Sequence, residues 1–319
     1  MRTAVTGGAG FIGHHLVAGL LAEGHDVSVL DDFSTGDRSR LAPFRDRIAI
    51  TEGSVLDPAA LDEAVADREV VFHHAAIASV ARSLVAPRMT NEVNAGGTIE
   101  VMLAAARHGV RRVVFAGSSS AYGVPAELPC RESQLADPRS PYGASKLAAE
   151  HYVHSLGRLH GVETVVLRYF NVFGPGQDPA SEYAAVVPRF ITAVLEGQRP
   201  VINGSGEISR DFVYIDDVVA ANLLASRASS PSALTCNIAS GSRTSLTQLL
   251  RAVCVAAGHD VDPVFDPPRP GDSEHSQADI SLARRTLGYS VGVPLGEGIS
   301  RTLAWFRDHP AQSTSLGDI

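Results

Sequence analysis

Thr3-Ala4-Val5-Thr6-Gly7-Gly8-Ala9-Gly10-Phe11-Ile12-Gly13 opens the chain, and its reading decides the fold. Thr3–Thr6 is a short β-branched, apolar run of strand character, and it leads directly into the glycines. His14–Glu23 follows with apolar residues at helical spacing, Leu16, Val17, Leu20 and Leu21. Val27–Leu30 is a second strand, closed by Asp31. Strand, glycine turn, helix, strand and acid is the order that a dinucleotide-binding βαβ unit requires. Gly7 permits the tight turn, Gly10 lets backbone approach a pyrophosphate, and Gly13 lets the helix pack close to the strand. The helix start offers unpaired N–H groups and a positive dipole end to the phosphates.

The acid also selects the cofactor. A carboxylate at Asp31, with Asp32 and Phe33 beside it, suits ribose hydroxyls and repels a 2′-phosphate. The nearest cation, Arg38, is expected in a solvated loop, so NAD is favoured over NADP.

Bulk properties narrow the field. With 319 residues the chain can bury a large core, as one large domain or as two sharing a cleft. A net charge of −8 argues against nucleic acid as a partner and requires that an anionic substrate be held by a few placed cations. The three cysteines, Cys130, Cys236 and Cys254, are odd in number and far apart, which points to reduced thiols and a cytoplasmic location. The chain begins almost on its first strand, leaving no room for a signal peptide, and no apolar run is long enough to span a membrane. The twelve histidines show no ligand spacing, so no metal site is expected.

Strand candidates continue at Ile48–Thr51, Val70–His73, Val113–Phe115 and Thr164–Leu167, alternating with helices at Pro58–Ala66, Met89–Arg107 and Tyr142–His160. That alternation means a Rossmann-type, doubly wound parallel sheet, with ligands beyond the carboxyl ends of the strands. There fall the glycine turn, Ala75-Ala76-Ile77-Ala78, the Ser118–Tyr122 stretch and Tyr169–Gly174. The last third reads as helix (Pro188–Glu196), a Gly-rich crossing (Val201–Arg210), a short strand (Asp211–Tyr214), helix (Asp216–Ala225) and a strand returning to the main sheet (Thr235–Ile238). Ser245–Ala257 and Pro294–Arg307 are amphipathic helices around the loop Asp266–Gly271. The expected division is a Rossmann domain over residues 1–171, to which 216–240 return, and a smaller interleaved α/β substrate domain over 172–215 and 241–319.

The chemistry rests on Tyr142 and Lys146, one helical turn apart on one face. A free phenol is a poor base at neutral pH. Lowering its pKa by about three units takes roughly 4 kcal/mol, and a Lys⁺ about 4 Å away supplies about that much at an effective dielectric of about 20. Ser118 lies just beyond a strand aimed at the same cleft, where a hydroxyl can hold a substrate oxygen and relay its proton to Tyr142. Ser119 and Ser120 are possible substitutes. Dinucleotide site, base and hydroxyl in one cleft describe hydride transfer at a secondary alcohol carbon.

These motifs resemble the extended short-chain dehydrogenase/reductase family, and within it the NAD-dependent nucleotide-sugar epimerases. Gly7–Gly13, Tyr142-Gly143-Ala144-Ser145-Lys146, Arg168-Tyr169-Phe170-Asn171 and Arg210-Asp211-Phe212-Val213-Tyr214-Ile215-Asp216-Asp217 carry the resemblance over nearly the whole chain. It implies Ser118 as the catalytic hydroxyl, with Tyr142 and Lys146. It implies cofactor contacts from Gly7, Gly10, Phe11, Ile12, Gly13, Asp31, Asp32, Ala75, Ala76, Asn94 and Tyr169, besides Tyr142 and Lys146. For the substrate it implies Ala78, Ser118–Ser120, Asn171, Ala185, Val186, Arg210, Arg269 and Ser276, with Arg210 and Arg269 toward phosphate or ribose. Two departures stand out. Gly53 is followed by Ser54 where the family commonly has an adenine-contacting Asp, and Ser273-Glu274 replaces an arginine of the family pattern.

Sugar-nucleotide dehydratases and decarboxylases resemble sequences with a carboxylate in the serine loop. Ser118-Ser119-Ser120-Ala121-Tyr122-Gly123 has none, which disfavours elimination. The resemblance therefore implies an isomerase that 4-epimerises a UDP-hexose through a transient 4-keto sugar. UDP-N-acetylglucosamine/UDP-N-acetylgalactosamine is the first expectation and UDP-glucose/UDP-galactose the next. An NAD-dependent 4-ketosugar reductase or dehydrogenase, a UDP-glucuronate 4-epimerase and a non-catalytic NAD-binding protein are the alternatives. The family's pairing of the Met89–Arg107 and Tyr142–His160 helices implies a homodimer.

Overall fold

The computed structural model describes residues 1–125, 127–179, 185–229, 233–267 and 275–309. Strand β1 (Arg2–Thr6) runs into helix α1 (Phe11–Ala22), which starts three residues earlier than its apolar periodicity suggests and so contains Gly13. Then come β2 (Asp26–Asp31), β3 (Ile48–Glu52), α2 (Pro58–Val65), β4 (Val70–His73), α3 (Val80–Val85), α4 (Pro87–Asn91), α5 (Gly97–Arg107), β5 (Arg112–Ser118), α6 (Pro141–His160) and β6 (Glu163–Tyr169). The later part holds β7 (Asn171–Phe173), α7 (Val186–Leu195), β8 (Val201–Asn203), β9 (Ser209–Arg210), β10 (Phe212–Tyr214), α8 (Ile215–Arg227), β11 (Leu234–Ile238), β12 (Thr244–Ser245), α9 (Leu246–Ala257), β13 (Val264–Asp266), α10 (Ser281–Leu287) and α11 (Leu295–Asp308). None of the described helices is long and apolar enough to cross a membrane.

The main sheet has seven strands in the order β11-β6-β5-β4-β1-β2-β3. Every pairing in it is parallel. Its interior strands are buried on both faces, and alternate side chains serve two cores. In β5, Val114 and Ala116 join the core with α1 and α8, whereas Val113 and Phe115 join that with α2, α5 and α6. Strand order reverses between β1 and β4, which creates the crevice where such sheets bind ligands. β11 returns to the sheet edge beside β6, as the sequence suggests.

Three features depart from the sequence reading. Met89–Arg107 is not one α-helix: Glu92–Gly96 forms a π-helical turn between α4 and α5. The Gly-rich crossing holds two short strands, β8 and β9, paired with β13 and β12. Asn171–Phe173, expected as loop, is β7 and pairs with β10 in parallel. These strands are only two or three residues long and have no alternating pattern of their own.

Helix α6 is fixed at both ends. Ser140 caps it by accepting from Gly143 N at 3.1 Å, Pro141 fills its first turn, and Gly161 ends it with φ of 73°. Midway, Glu150 accepts from Arg168 of β6 in a two-pronged ion pair of 2.9 and 2.6 Å, with both side chains buried. Removing one member strands the other charge in a low-dielectric interior. Glu150→Gln is therefore expected to lower unfolding free energy by about 3–5 kcal/mol, read as a fall in the urea midpoint at unchanged m-value; an unchanged midpoint would show that the pair is solvated.

Candidate active site

Two joined cavities occupy the crevice, of about 720 and 220 Å³, sharing Gly7, Gly10, Thr35, His74 and Ala76. The glycine turn is built to leave that space open. Gly7 has φ of 72°, and a Cβ there would lie 2.6 Å from Ala75 N, so the turn passes directly against the end of β4. A Cβ on Gly13 would lie 2.0 Å from Gly7 O. Gly10 caps α1 without any side-chain hydrogen bond, leaving first-turn N–H groups for an anion.

The smaller cavity is lined by the apolar Leu30, Val55, Ile77, Met89 and Val93 and by the charged Asp31, Asp32 and Arg82, among others. A flat base and a ribose fit that lining. Asp31 is already engaged, since its Oδ2 accepts from Ala9 N at 2.8 Å and its Oδ1 from Phe33 N at 2.9 Å. Burial raises its pKa, against these hydrogen bonds. Asp32 accepts from the backbone and hydroxyl of Ser34. Arg38 is solvent-exposed, as expected, and there it stacks 3.7 Å from the Phe33 ring centroid and pairs with Glu52, which is exposed as well. Ser54 accepts from Leu56 N. The glycine cradle, uncapped helix start, apolar slot and acid together fit a dinucleotide.

The larger cavity is lined by Phe11, Ile12, Ala76, Ala78, Tyr142, Lys146, Tyr169 and Ala185, among others. Gly143 brings Tyr142 beside the serine turn, because a Cβ there would lie 2.6 Å from Ser120 O. Tyr142 N donates to Ser83 Oγ at 3.1 Å, and Ser145 Oγ donates to Tyr142 O at 2.8 Å. Ser118 hydrogen-bonds the Tyr142 phenol, which lowers its pKa, but burial is the larger influence and the net shift is upward. The lowering expected from Lys146 is not what the protein's own groups produce. Lys146 is buried over the Phe115 ring, 4.2 Å from its centroid, and burial brings its own pKa down to about 7 against the pull of Glu150.

Ser119 and Ser120 form a short 3-10 turn after β5, with Ser120 N donating to Ser118 Oγ at 3.2 Å. Asn94 lies behind the cleft and does not line it. It is fully buried in the π-turn, accepting from Ile77 N at 2.8 Å and donating to Ser145 Oγ at 3.0 Å. Its amide holds the β4 loop to α6. The hydroxyl of Tyr169 is likewise committed, to His74 and Asn222, while its ring faces the cavity.

Ser118, Ser119, Ser120, Asn171, Val186, Arg210 and Ser276 are not among the residues lining the larger cavity, although Ala116 and Gly117 just before the serines are. Asn171 donates its amide to Asp211 O at 3.0 Å. Val186 begins α7 directly after cavity-lining Ala185. Arg210 donates to Ser209 O, and Ser276 N donates to the same carbonyl, so the two are neighbours across β9. The Ser276 hydroxyl is buried and makes no hydrogen bond among the described residues. Arg269 and the Ser273-Glu274 departure lie outside the described residues.

Sequence reading missed Arg40, His74, Thr35 and Gln177, all in the larger cavity. His74 adjoins the Ala75–Ala78 stretch and was within reach of that argument. Arg40 had no signal, because its loop has no periodicity to show that it folds back over the glycine turn.

The profile of the NAD dependent epimerase/dehydratase family matches residues 3–239. The UDP-glucose 4-epimerase of Mycolicibacterium smegmatis is 41% identical over 315 residues, covering 97% of this chain and 99% of the relative. The UDP-N-acetylglucosamine 4-epimerase of Methanobrevibacter ruminantium, solved with UDP-N-acetylmuramic acid, superposes with a TM-score of 0.92 at 36% identity, over 97% of this chain and 98% of that one. The UDP-glucose 4-epimerase of Thermus thermophilus, solved with NAD, gives 0.88 at 37% identity, over 96% and 99%. By its profile, its relatives and its cleft, the chain belongs to the NAD-dependent epimerase/dehydratase family.

Proposed function

We propose that this chain interconverts the C4 epimers of a UDP-hexose, UDP-N-acetylglucosamine and UDP-N-acetylgalactosamine first and UDP-glucose and UDP-galactose as well. One observation carries the reading: Tyr142 and Lys146 face the larger cavity, with Ser118 hydrogen-bonded to the phenol, at the open end of a dinucleotide cradle. The chain is an enzyme of the isomerase kind by its relatives.

NAD⁺, held by the glycine turn and Asp31, would supply the hydride chemistry when bound, and its positive charge would favour the Tyr142 phenolate. Ser118 holds the sugar's 4-hydroxyl and passes its proton to Tyr142. Lys146, poised near neutrality, stabilises the phenolate and binds cofactor hydroxyls. The 4-keto sugar then turns over in the cavity, and Tyr142 returns the proton. Arg210 and Arg269 act on the diphosphate side, where a guanidinium matches phosphate oxygens. Residues 1–171 with 216–240 make the cofactor half, a division supported by the return of β11 to the seven-stranded sheet; 172–215 and 241–319 make the substrate half. Epimer formation from a panel of UDP- and dTDP-sugars, resolved by NMR, tests the reading, and no epimer from any of them would overturn it.

Tyr142→Phe is expected to keep NAD binding while lowering turnover by about 10²–10⁴-fold, the usual worth of a positioned acid–base; turnover near wild type would remove the assignment. Substrate choice rests on small side chains. Ala78 and Ala185 line the cavity, and Ser276 brings little bulk and an unsatisfied hydroxyl. Ser276→Tyr is expected to abolish reaction of the N-acetylated sugars and spare the plain hexoses, measured as kcat/KM on each; equal loss on both would argue for a packing defect. We also propose a homodimer through α5 and α6 with their neighbours. Its support is the exposure of Leu84, Val85, Met89, Tyr152 and Leu159 on α3, α4 and α6, more apolar side chain than solvent favours. Light scattering at micromolar concentration should give twice the chain mass, and a monomer would end the claim.

A further inference from the structure

Arg40 joins two parts of the cleft that are far apart in sequence. Its Nη1 donates to Ala9 O at 3.3 Å, in the glycine turn, and its Nη2 to Gly176 O at 2.8 Å, in the loop after β7. That loop, residues 174–178, belongs to no helix or strand. Its preceding carbonyl, Pro175 O, accepts from His15 Nε2 at 2.8 Å, so α1 and the Arg40 segment together clamp it. Gly176 has φ of 77°, which favours glycine, and a Cβ there would just reach van der Waals contact with the His14 ring at 3.4 Å.

The charge at this clamp comes from Arg40. His14 has its pKa pulled down to about 3, chiefly by burial, and His15 is shifted down for the same reason, so both are neutral. Of the residues lining the larger cavity, Arg40 and Lys146 are the basic ones beside neutral His74, and Lys146 lies with Tyr142. Arg40 is instead beside Ala9, next to the uncapped start of α1. A guanidinium has five N–H donors. Two nitrogens are engaged on carbonyls and the carboxylates of Asp37, Asp178 and Asp31 lie near enough to act on the charge, yet the group keeps N–H donors for an anion at the helix start.

We propose that Arg40 is a strap across the cofactor cleft, neutralising the dinucleotide's diphosphate while holding loop 174–178 down, so that NAD is retained from one turnover to the next. The inference rests on the cleft being the dinucleotide's seat, and it deepens the reading of an enzyme that must take back the hydride it gives away. Lysine cannot reproduce the strap, because one ammonium does not span two divergent carbonyls as a planar fork does.

The test measures the cofactor without any sugar. Wild type, Arg40→Met and Arg40→Lys are purified alike, their bound NAD is quantified after acid release, and its exchange with isotopically labelled NAD⁺ is followed by mass spectrometry. Arg40→Met is expected to purify with less than half the wild-type NAD and to exchange it at least tenfold faster, with Arg40→Lys between the two. In assay, Arg40→Met should come to depend on added NAD⁺, which wild type does not need, while the KM for the sugar nucleotide stays, a split that a general loss of structure would not give. Wild-type NAD content and exchange rate in a folded Arg40→Met overturn the proposal. Should that variant fail to fold, Arg40→Lys decides by the same measurement, faster exchange supporting the strap and the wild-type rate ending it. Because no sugar enters the exchange experiment, its outcome is separate from whether the substrate has been named correctly.

Discussion

Everything in the cleft depends on how near the backbone of the glycine turn comes to the end of β4. The 2.6 Å between a hypothetical Gly7 Cβ and Ala75 N, and the 2.0 Å between a Gly13 Cβ and Gly7 O, leave space for hydrogen atoms and nothing larger. Those contacts set α1 directly over the sheet at the point where strand order reverses, with its first-turn N–H groups facing the crevice. A residue with a side chain at either position would lift the helix start away. The cavity would then lose its floor.

From the same corner a buried hydrogen-bonded chain reaches the reacting end. Thr98 Oγ1 donates to Asn94 O, so it accepts from His73 Nε2 at 2.9 Å, and His73 Nδ1 in turn accepts from Thr6 Oγ1 at 2.7 Å. His73 is thereby fixed as the neutral tautomer with its proton on Nε2, consistent with a pKa held well down by burial and by Lys146. Asn94 continues the chain to Ser145, and Ser145 to the carbonyl of Tyr142. The π-turn at Glu92–Gly96 serves this chain by widening the helix where Asn94 must reach both Ile77 and α6. The end of β1 and the start of α6 are thus positioned by one set of buried contacts.

How much of this was legible follows from which forces leave a periodic trace. The parallel sheet was, because strands buried on both faces read as apolar runs, and the glycine turn was, because steric exclusion leaves only one residue type. Tyr142, Lys146 and Ser118 were legible through their spacing from predicted ends. The π-turn was not, since one wide turn keeps the apolar stripe of Met89–Arg107 almost unbroken. β7, β8 and β9 were too short to show alternation. The direction of the Tyr142 shift was misjudged for a physical reason: a pairwise Coulomb estimate included the charge of Lys146 but not the burial that weakens that charge and raises the phenol together. Arg40 was illegible because its partners are backbone carbonyls, which any residue supplies.

The carboxylate at Asp31 has a bearing on how such a protein can change over time. It accepts from Ala9 N and from Phe33 N, and a Cβ on Gly36 would lie 2.8 Å from its Oδ1, so it brackets the loops on both sides of the smaller cavity. Arg38, the cation best placed in sequence to welcome a 2′-phosphate, is engaged by Phe33 and Glu52. A lineage drifting toward the phosphorylated dinucleotide would have to part with this carboxylate, and so with the bracket, to admit the added charge. Losing Asp31 would free the backbone of both loops at once, so cofactor identity here is a constraint of architecture as much as a preference of binding.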